Sequence, residues 1–272
     1  MAVVTRFAPS PTGPLHLGHA YSAMLAASLG ERFFLRIEDI DTPRCRAEFE
    51  TAIYGDLHWL GLTWDTPVLR QSDRLPAYQT ALAHLYSMGL TYHCTCTRGD
   101  IKAALSAPQE GGPQFGPDGP IYPGTCRDHG HASGAVRLNM HKAMALTGPL
   151  RFDDTGTRPG PHHFDAKAMT FGMGDVVLAR RDIGTSYHLS VVVDDAAQGV
   201  TLVTRGQDLF DATALHVLLQ SLLGLPTPTY HHHRLIRDDQ GKRLAKRDDA
   251  RALSTYREKG ATPQDIRRMV GL

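Results

Sequence analysis

The sequence predicts an α/β fold: a parallel sheet begun by a strand–helix–strand unit and broken by one loop-rich insertion. Three observations carry this. Val3 to Phe7 is a short apolar run, and Leu15 to Leu29 spaces its apolar residues (Leu15, Ala20, Met24, Leu25, Leu29) as a helix does. Phe33 to Ile37 is a second buried run, close enough behind the first for a βαβ unit with parallel strands. Residues 106 to 134 are instead rich in Gly and Pro, including Gly111-Gly-Pro113 and Gly116-Pro-Asp-Gly-Pro120, and lack the apolar residues of a core.

The elements follow in order. Pro9, Pro11, Gly13 and Pro14 make the first strand-to-helix connection a loop, and Gly30 closes the helix. Residues 74 to 89 read as a helix (Leu75, Tyr78, Leu82, Leu85, Tyr86) ending in Gly89. The character changes after Tyr92, and strand patterning resumes at Ala135 to Leu138. Val176 to Leu178 and Thr201 to Thr204 are strand-like. Leu189 to Val193 is a dense apolar run before Asp194-Asp195, acids placed at a helix end. Ala212 to Leu223 is a helix closed by Gly224 and Pro226.

The chain has 272 residues, enough for one large domain carrying an insertion. It is 42% hydrophobic and 21% charged, as a globular protein is. No apolar run approaches the roughly 18 residues of a membrane span. The first residues carry no charged start followed by an apolar stretch, so no membrane partner and a cytoplasmic location are expected. A net charge of +1 gives no bulk attraction for nucleic acid. One segment differs: Arg234, Arg237, Lys242, Arg243, Lys246, Arg247 and Arg251 stand against four Asp between residues 234 and 251.

Two motifs carry the chemistry. The first is Arg6-Phe7-Ala8-Pro9-Ser10-Pro-Thr-Gly-Pro-Leu-His16-Leu-Gly18-His19. It leads a strand through a loop into a helix whose first turn holds His16, Gly18 and His19. A helix N-terminus presents free N–H groups and positive potential, which suits a phosphate. Gly18 lets a flat base approach the backbone, and the imidazoles can donate to phosphate oxygens as charge builds. The second motif is Lys242-Arg243-Leu-Ala245-Lys246-Arg247, a basic loop freed by Gly241 to close on phosphates. Together they describe two flanks of one ATP site, with Lys246 as the key cation and Arg243 beside it.

Cys94, Cys96 and Cys126 cluster within the insertion, while Cys45 stands alone and reads as structural. Clustered cysteines in a cytosolic chain point to metal, and thiolates suit Zn²⁺. A Gly- and Pro-rich segment without a core gains its order from such an ion. Histidine is the commoner fourth ligand, and His93, His129 and His131 are near. His231-His-His233 and His162-His163 are weaker metal candidates, since successive residues of a regular element point apart.

The string from Arg6 to His19 resembles the opening of class I glutamyl-tRNA synthetases. Arg36-Ile-Glu38-Asp-Ile-Asp41, Tyr187-His-Leu-Ser-Val191-Val-Val-Asp194-Asp195 and Thr204-Arg205-Gly-Gln-Asp-Leu209 are similar to later segments of that family, in its order. Residues 243 to 247 match its second catalytic motif, with Arg243 in place of the first lysine and Ala245 in place of the serine. Val191 stands where the full synthetases usually have Asn, and the chain ends about 25 residues after the basic loop, leaving no room for an anticodon-binding domain. Both departures point to the truncated branch of the family, which attaches glutamate to queuosine in the anticodon of tRNA(Asp).

The resemblance implies a Rossmann-type catalytic domain (1–91 and 151–240), a zinc-bearing insertion (92–150), and a short helical addendum with the basic loop (241–272). It implies activation of L-glutamate with ATP and Mg²⁺, and Tyr122 as the fourth zinc ligand in place of a histidine. Glutamate carries two carboxylates and an ammonium. Bidentate arginines suit the former, so Arg6 and Arg205 are its candidates, with Glu38 for the ammonium, Tyr187 completing the pocket, and Phe7, Ala8, Pro9 and Ser10 lining it. A monomer is expected. The other readings are a shortened synthetase that charges the tRNA 3′ end and a non-catalytic nucleotide- or RNA-binding relative.

Overall fold

The opening unit sets the rest of the chain. In the computed structural model, which describes residues 2–106, 115–117, 119–237 and 251–272, it comprises β1 (Val4–Phe7), α1 (Leu17–Leu29) and β2 (Arg32–Ile37), the strands paired in parallel. α2 (Ala47–Trp59) returns the chain to β3 (Asp65–Arg70), parallel to β2. There follow α3 (Leu75–Ser87), β4 (Thr91–Cys94), α4 (Arg98–Ser106), the short pair β5 (Phe115–Gly116) and β6 (Gly119–Pro120), β7 (Ala135–Leu138) and α5 (Met140–Thr147). A hairpin of β8 (Leu150–Asp154) and β9 (Gly160–Phe164) leads to α6 (Ala166–Gly172) and β10 (Val177–Ala179). The remainder is α7 (Tyr187–Ala197), β11 (Leu202–Gly206), α8 (Thr213–Leu222), β12 (Thr229–His233), α9 (Leu253–Glu258) and α10 (Pro263–Val270).

The expected Rossmann-type parallel sheet is present, in two halves. One runs β1-β2-β3 and the other β11-β12-β8-β9, parallel except for β9. They meet where Thr201, just before β11, donates its amide to the Val4 carbonyl (3.0 Å) and accepts the Val4 amide on its hydroxyl (2.9 Å). Strand order therefore runs outward in both directions from the β1/β11 junction. In open parallel sheets, ligands bind at the carboxyl ends of the strands at such a switch point.

Apolar side chains cover the sheet from two sides. Ala20, Ala23, Met24 and Ala26 of α1 pack on Phe33, Leu35 and Ile37, with Ile53 and Leu57 of α2 behind them. Leu253 of α9 and Ile266 and Val270 of α10 join this cluster, so the C-terminal helices dock on α1. A second cluster joins Tyr78 and Leu85 of α3 to Leu189 and Val192 of α7 and to Leu215, Leu218 and Leu219 of α8.

The segment expected as an insertion is tied into this body. β4, β7 and β10 form one antiparallel sheet, and β10 lies beyond residue 150. Met140, Ala143 and Met144 pack in the same cluster as Leu189 and Leu215. One buried carboxylate clamps the two parts. Asp175 accepts the Met140 amide (2.9 Å) on one oxygen, and the Tyr92 hydroxyl (2.6 Å) and Arg127 Nε (2.8 Å) on the other. Its carbonyl accepts Arg137 Nη1 (2.8 Å). Removing a buried acceptor leaves its donors unpaired. Asp175→Ala should therefore lower stability by about 3 kcal/mol in a urea unfolding titration, and a loss near zero would show that the clamp does not bear load.

Candidate active site

The first motif sits where its chemistry needs it, in the loop from the end of β1 to the start of α1. His16 caps the helix: its Nδ1 accepts the Gly18 amide (3.1 Å), and His19 Nδ1 accepts the His16 amide (3.2 Å). A neutral imidazole that accepts on Nδ1 carries its proton on Nε2. Both rings thus turn a donor away from the helix backbone, 3.8 Å apart between centroids. A Cβ at position 18 would lie 3.0 Å from His16 Cε1, so the close seat of the ring calls for Gly18.

The C-terminal part of the chain comes back to this point. The Leu253 amide donates to the Leu15 carbonyl (2.8 Å), and His16 and Ala252 form an isolated antiparallel bridge. At the other end, His233 Nε2 lies 2.8 Å from the Ser22 hydroxyl, its ring packs edge-on to Tyr21, and Ile236 is buried against α1. Lys246, Arg243 and Gly241 lie outside the described residues. The described residues on either side of that segment, 237 and 251, both follow or precede contacts with α1.

A buried charge network occupies the switch point. Arg6 donates from Nε to Asp195 (2.9 Å) and from Nη1 to the Thr204 carbonyl (3.0 Å). Arg36, fully buried, donates Nη1 to the same Asp195 oxygen (2.7 Å), and its Nη2 lies 3.4 Å from Glu38. Burial pushes the Asp195 pKa up, but Arg6 and Arg36 together hold it below the usual carboxylate range. Glu38 moves the other way: burial raises its pKa against the pull of Arg36 and Arg6. The neighbouring Asp194 accepts Tyr78 (2.7 Å), Gln71 (3.0 Å) and Arg74 (3.2 Å). The acidic pair therefore organises cations and donors.

Beside the network lies a cavity of about 290 Å³, lined by Ser10, Glu38, Arg180, Thr185, Ser186 and Tyr187 among others. The amide of Glu38 donates to the Pro9 carbonyl (3.0 Å), which ties the first motif to the exit of β2, while Phe7 and Pro9 are buried beneath. Ser186 caps α7 and so places Tyr187 at that helix's first turn. Burial raises the Tyr187 pKa, against Arg205 and Arg6, which leaves a hydroxyl donor there. A larger cavity of about 1270 Å³ opens between the cysteine segment and residues 173–182, and Arg180 lines both.

Arg205, at the end of β11, is also buried, but its company differs from that of Arg6. Nε donates to His232 Nε2 (3.2 Å), Nη1 to His216 Nδ1 (2.8 Å) and Nη2 to the Thr213 hydroxyl (2.6 Å). Among the described residues it forms no ion pair. Burial, then the charge of Arg205, holds His216 well below the ordinary histidine range and His232 at about 4. The sequence does not single out His216, and it singles out His232 only within the run His231 to His233, as a weak metal candidate. The available signal was the alternation of the run Tyr230 to His233, in which β12 turns His232 toward Arg205 and His233 toward α1.

The cysteines converge as expected. The sulfurs of Cys94, Cys96 and Cys126 all lie within 4.8 Å of one another. Ligands of a tetrahedral zinc site with sulfur at about 2.3 Å stand about 3.8 Å apart. The Tyr122 hydroxyl is 3.3 Å from Cys94 Sγ and 3.5 Å from Cys96 Sγ, and it accepts the Cys126 amide (2.8 Å). Among the described residues no histidine nitrogen joins the group. Burial raises the Cys126 thiol, but hydrogen bonds from Tyr122, Thr95 and Cys96 bring it down to about 5, a thiolate at neutral pH. The donor set fits a soft divalent ion. Arg137 lies over the Tyr122 ring at 3.8 Å. No described helix is long and apolar enough to cross a membrane.

Known proteins resemble the chain along its length. The family model for the catalytic domain of class I tRNA synthetases (E and Q) matches residues 2–272. A glutamyl-Q tRNA(Asp) synthetase of Rhodobacter capsulatus is 61% identical, over 99% of this chain and 100% of its own. One of Nocardia farcinica is 42% identical over 96% and 81%. The solved glutamate-tRNA synthetase of Elizabethkingia anophelis superposes with a TM-score of 0.78 at 25% identity, and the chain spans 61% of its length.

The depressed histidines give stability a pH dependence. Below pH about 6.5 the unfolded chain takes up protons at residues 216 and 232 that the folded site refuses, so stability falls with falling pH. The window at His232 runs down to about 4. The urea midpoint should drop between pH 7 and pH 4.5, and drop less in His232→Gln.

Proposed function

The chain belongs to the class I tRNA synthetases of the glutamate and glutamine group, and on that footing we propose that it activates L-glutamate with ATP and transfers it to queuosine in tRNA(Asp). Activation comes first and without tRNA. The glutamate α-carboxylate attacks the α-phosphorus in line, the bond to the bridging oxygen breaks, and pyrophosphate leaves glutamyl-adenylate. A queuosine hydroxyl then attacks the adenylate carbonyl, and AMP leaves. The glutamyl-Q tRNA(Asp) synthetases of Rhodobacter capsulatus and Nocardia farcinica match this chain over 100% and 81% of their own length, which supports the second step.

The reading assigns each group a role. His16, Gly18 and His19 take the ATP at the start of α1, where the Nε2–H donors of the two rings meet developing negative charge. The reading gives Lys246 and Arg243 to the phosphates, and Mg²⁺ accompanies the nucleotide. Arg205 takes a carboxylate of glutamate, Glu38 the ammonium, Tyr187 donates its hydroxyl, and Phe7, Ala8, Pro9 and Ser10 form the wall. Arg6, buried behind that wall, has its charge already shared with Asp195, so in this reading it orients more than it attracts. In this scheme residues 1–91 and 151–240 form the catalytic domain, 241–272 bring it the basic loop, 92–150 carry a structural zinc on Cys94, Cys96, Cys126 and Tyr122, and the enzyme acts as a monomer. The observation that carries the proposal is Arg205: a buried guanidinium held by neutral partners, its charge felt by Tyr187 in the wall of the small cavity, and with no ion pair among the described residues to take up that charge.

Purified protein should exchange labelled pyrophosphate into ATP only when L-glutamate is present, with no tRNA added. It should then label tRNA(Asp) that contains queuosine, but not an unmodified tRNA(Glu) transcript. Absence of glutamate-dependent exchange would overturn the reading, and labelling of the transcript would redirect it to the tRNA 3′ end. Lys246→Ala should slow exchange by at least about a hundredfold. The protein should also carry about one equivalent of zinc. Cys126→Ser should lose the metal and lower the thermal midpoint; retention of a full equivalent would remove Cys126 from the ligand set.

A further inference from the structure

The partners of Arg205 are themselves held in a defined order. Arginine only donates, so each acceptor it meets must offer a lone pair. His216 accepts on Nδ1, which places its proton on Nε2, and Nε2 lies 3.0 Å from His188 Nδ1. His232 accepts on Nε2, which places its proton on Nδ1, and Nδ1 lies 3.1 Å from Asp154. Asp154 is fixed in turn by the backbone amides of His232 (2.9 Å) and Arg158 (3.2 Å). Gly156 lets this loop close on β12, since a Cβ there would lie 2.1 Å from the His232 carbonyl oxygen. Each imidazole is thus locked in the tautomer that points a lone pair at the guanidinium. The chain crosses five elements, β8, β12, β11, α8 and α7, and ends under Tyr187, whose ring packs 5.7 Å from that of His216.

We propose that His216 and His232 are positioning residues that set selection of glutamate over glutamine, by orienting Arg205 without neutralising it. A carboxylate at either place would orient the guanidinium as well, but would also cancel its charge, as Asp195 does for Arg6. Neutral acceptors fix the fork and leave its positive charge unpaired among the described residues, close enough to be felt at Tyr187 in the cavity wall. An anionic side-chain carboxylate then gains the charge-assisted interaction, while the isosteric carboxamide gains only a neutral hydrogen bond and presents N–H donors to a donor. The inference rests on the reading of Arg205 as the partner of a substrate carboxylate.

The test uses glutamate-dependent pyrophosphate exchange and three substitutions at one position. His216→Asn keeps a neutral acceptor where Nδ1 stands, His216→Leu removes it, and His216→Asp replaces it with a charge. KM for glutamate should rise at least about tenfold in His216→Leu, with KM for ATP unchanged, and Asn should restore most of the loss. His216→Asp should lower the ratio of kcat/KM for glutamate to that for glutamine by at least about tenfold. Thr213→Val, which removes one neutral acceptor by a smaller change, should shift KM for glutamate in the same direction should the Leu variant fail to fold. Wild-type protein that exchanges normally, with variants that keep its glutamate KM and its glutamate-to-glutamine ratio, would overturn this inference and leave the function standing. Wild-type protein with no glutamate-dependent exchange would instead remove the function on which it rests.

Discussion

One buried carboxylate holds the arginine that reaches across the two halves of the sheet, since Arg6 donates both to Asp195 and to the Thr204 carbonyl of β11. Asp195 sits at the end of α7 and receives Arg6 from β1 and Arg36 from β2. Two cations with no anion between them would not be buried at such a junction, and one anion without them would not be either. The trio therefore fixes α7 against the carboxyl ends of the strands. Tyr187 and His188 ride on the first turn of the same helix, so the ion cluster at one end sets the height of the pocket wall at the other.

The two arginines near the pocket illustrate how environment divides labour between identical side chains. Arg6 is neutralised within the fold and behaves as part of the scaffold. Arg205 is held just as firmly, but by an alcohol and two imidazoles, and its charge is compensated by nothing in its contact shell among the described residues. Desolvation makes such a charge expensive for the folded protein and correspondingly valuable to an anionic ligand. A site built this way gives up some stability of the free protein for affinity and selection.

Much of this was legible in the chain. β1, α1 and β2 announce themselves because apolar periodicity and a Pro–Gly loop agree, and the cysteines converge because thiolates at short spacing have few other uses in such a chain. The placement of Asp194-Asp195 at a helix end was readable, and the structure makes these acids the organisers of Arg6, Arg36 and Arg74. β12 was not: Tyr230-His-His-His233 lacks branched apolar residues, and its strand character comes from pairing with β11 and β8. The roles of His216 and Asp154 were equally silent, since each sits in an ordinary local pattern and acquires meaning only when distant strands bring it to Arg205. The sheet shared by β4, β7 and β10 escaped notice because strands of three or four residues carry too little pattern to reveal partners 40 residues away.

Arg180 stands in the wall between the two cavities. It is half-exposed, and ion pairs with Asp41 and Asp182 hold it without burying it. A side chain common to two chambers cannot respond to an occupant of one without altering the other. Thermodynamic reciprocity then requires that the small chamber feel the filling of the large one by the same factor as the reverse. An occupant of one chamber that moved this guanidinium would change the other, and the energy two ligands exchanged through it would be the same by either route.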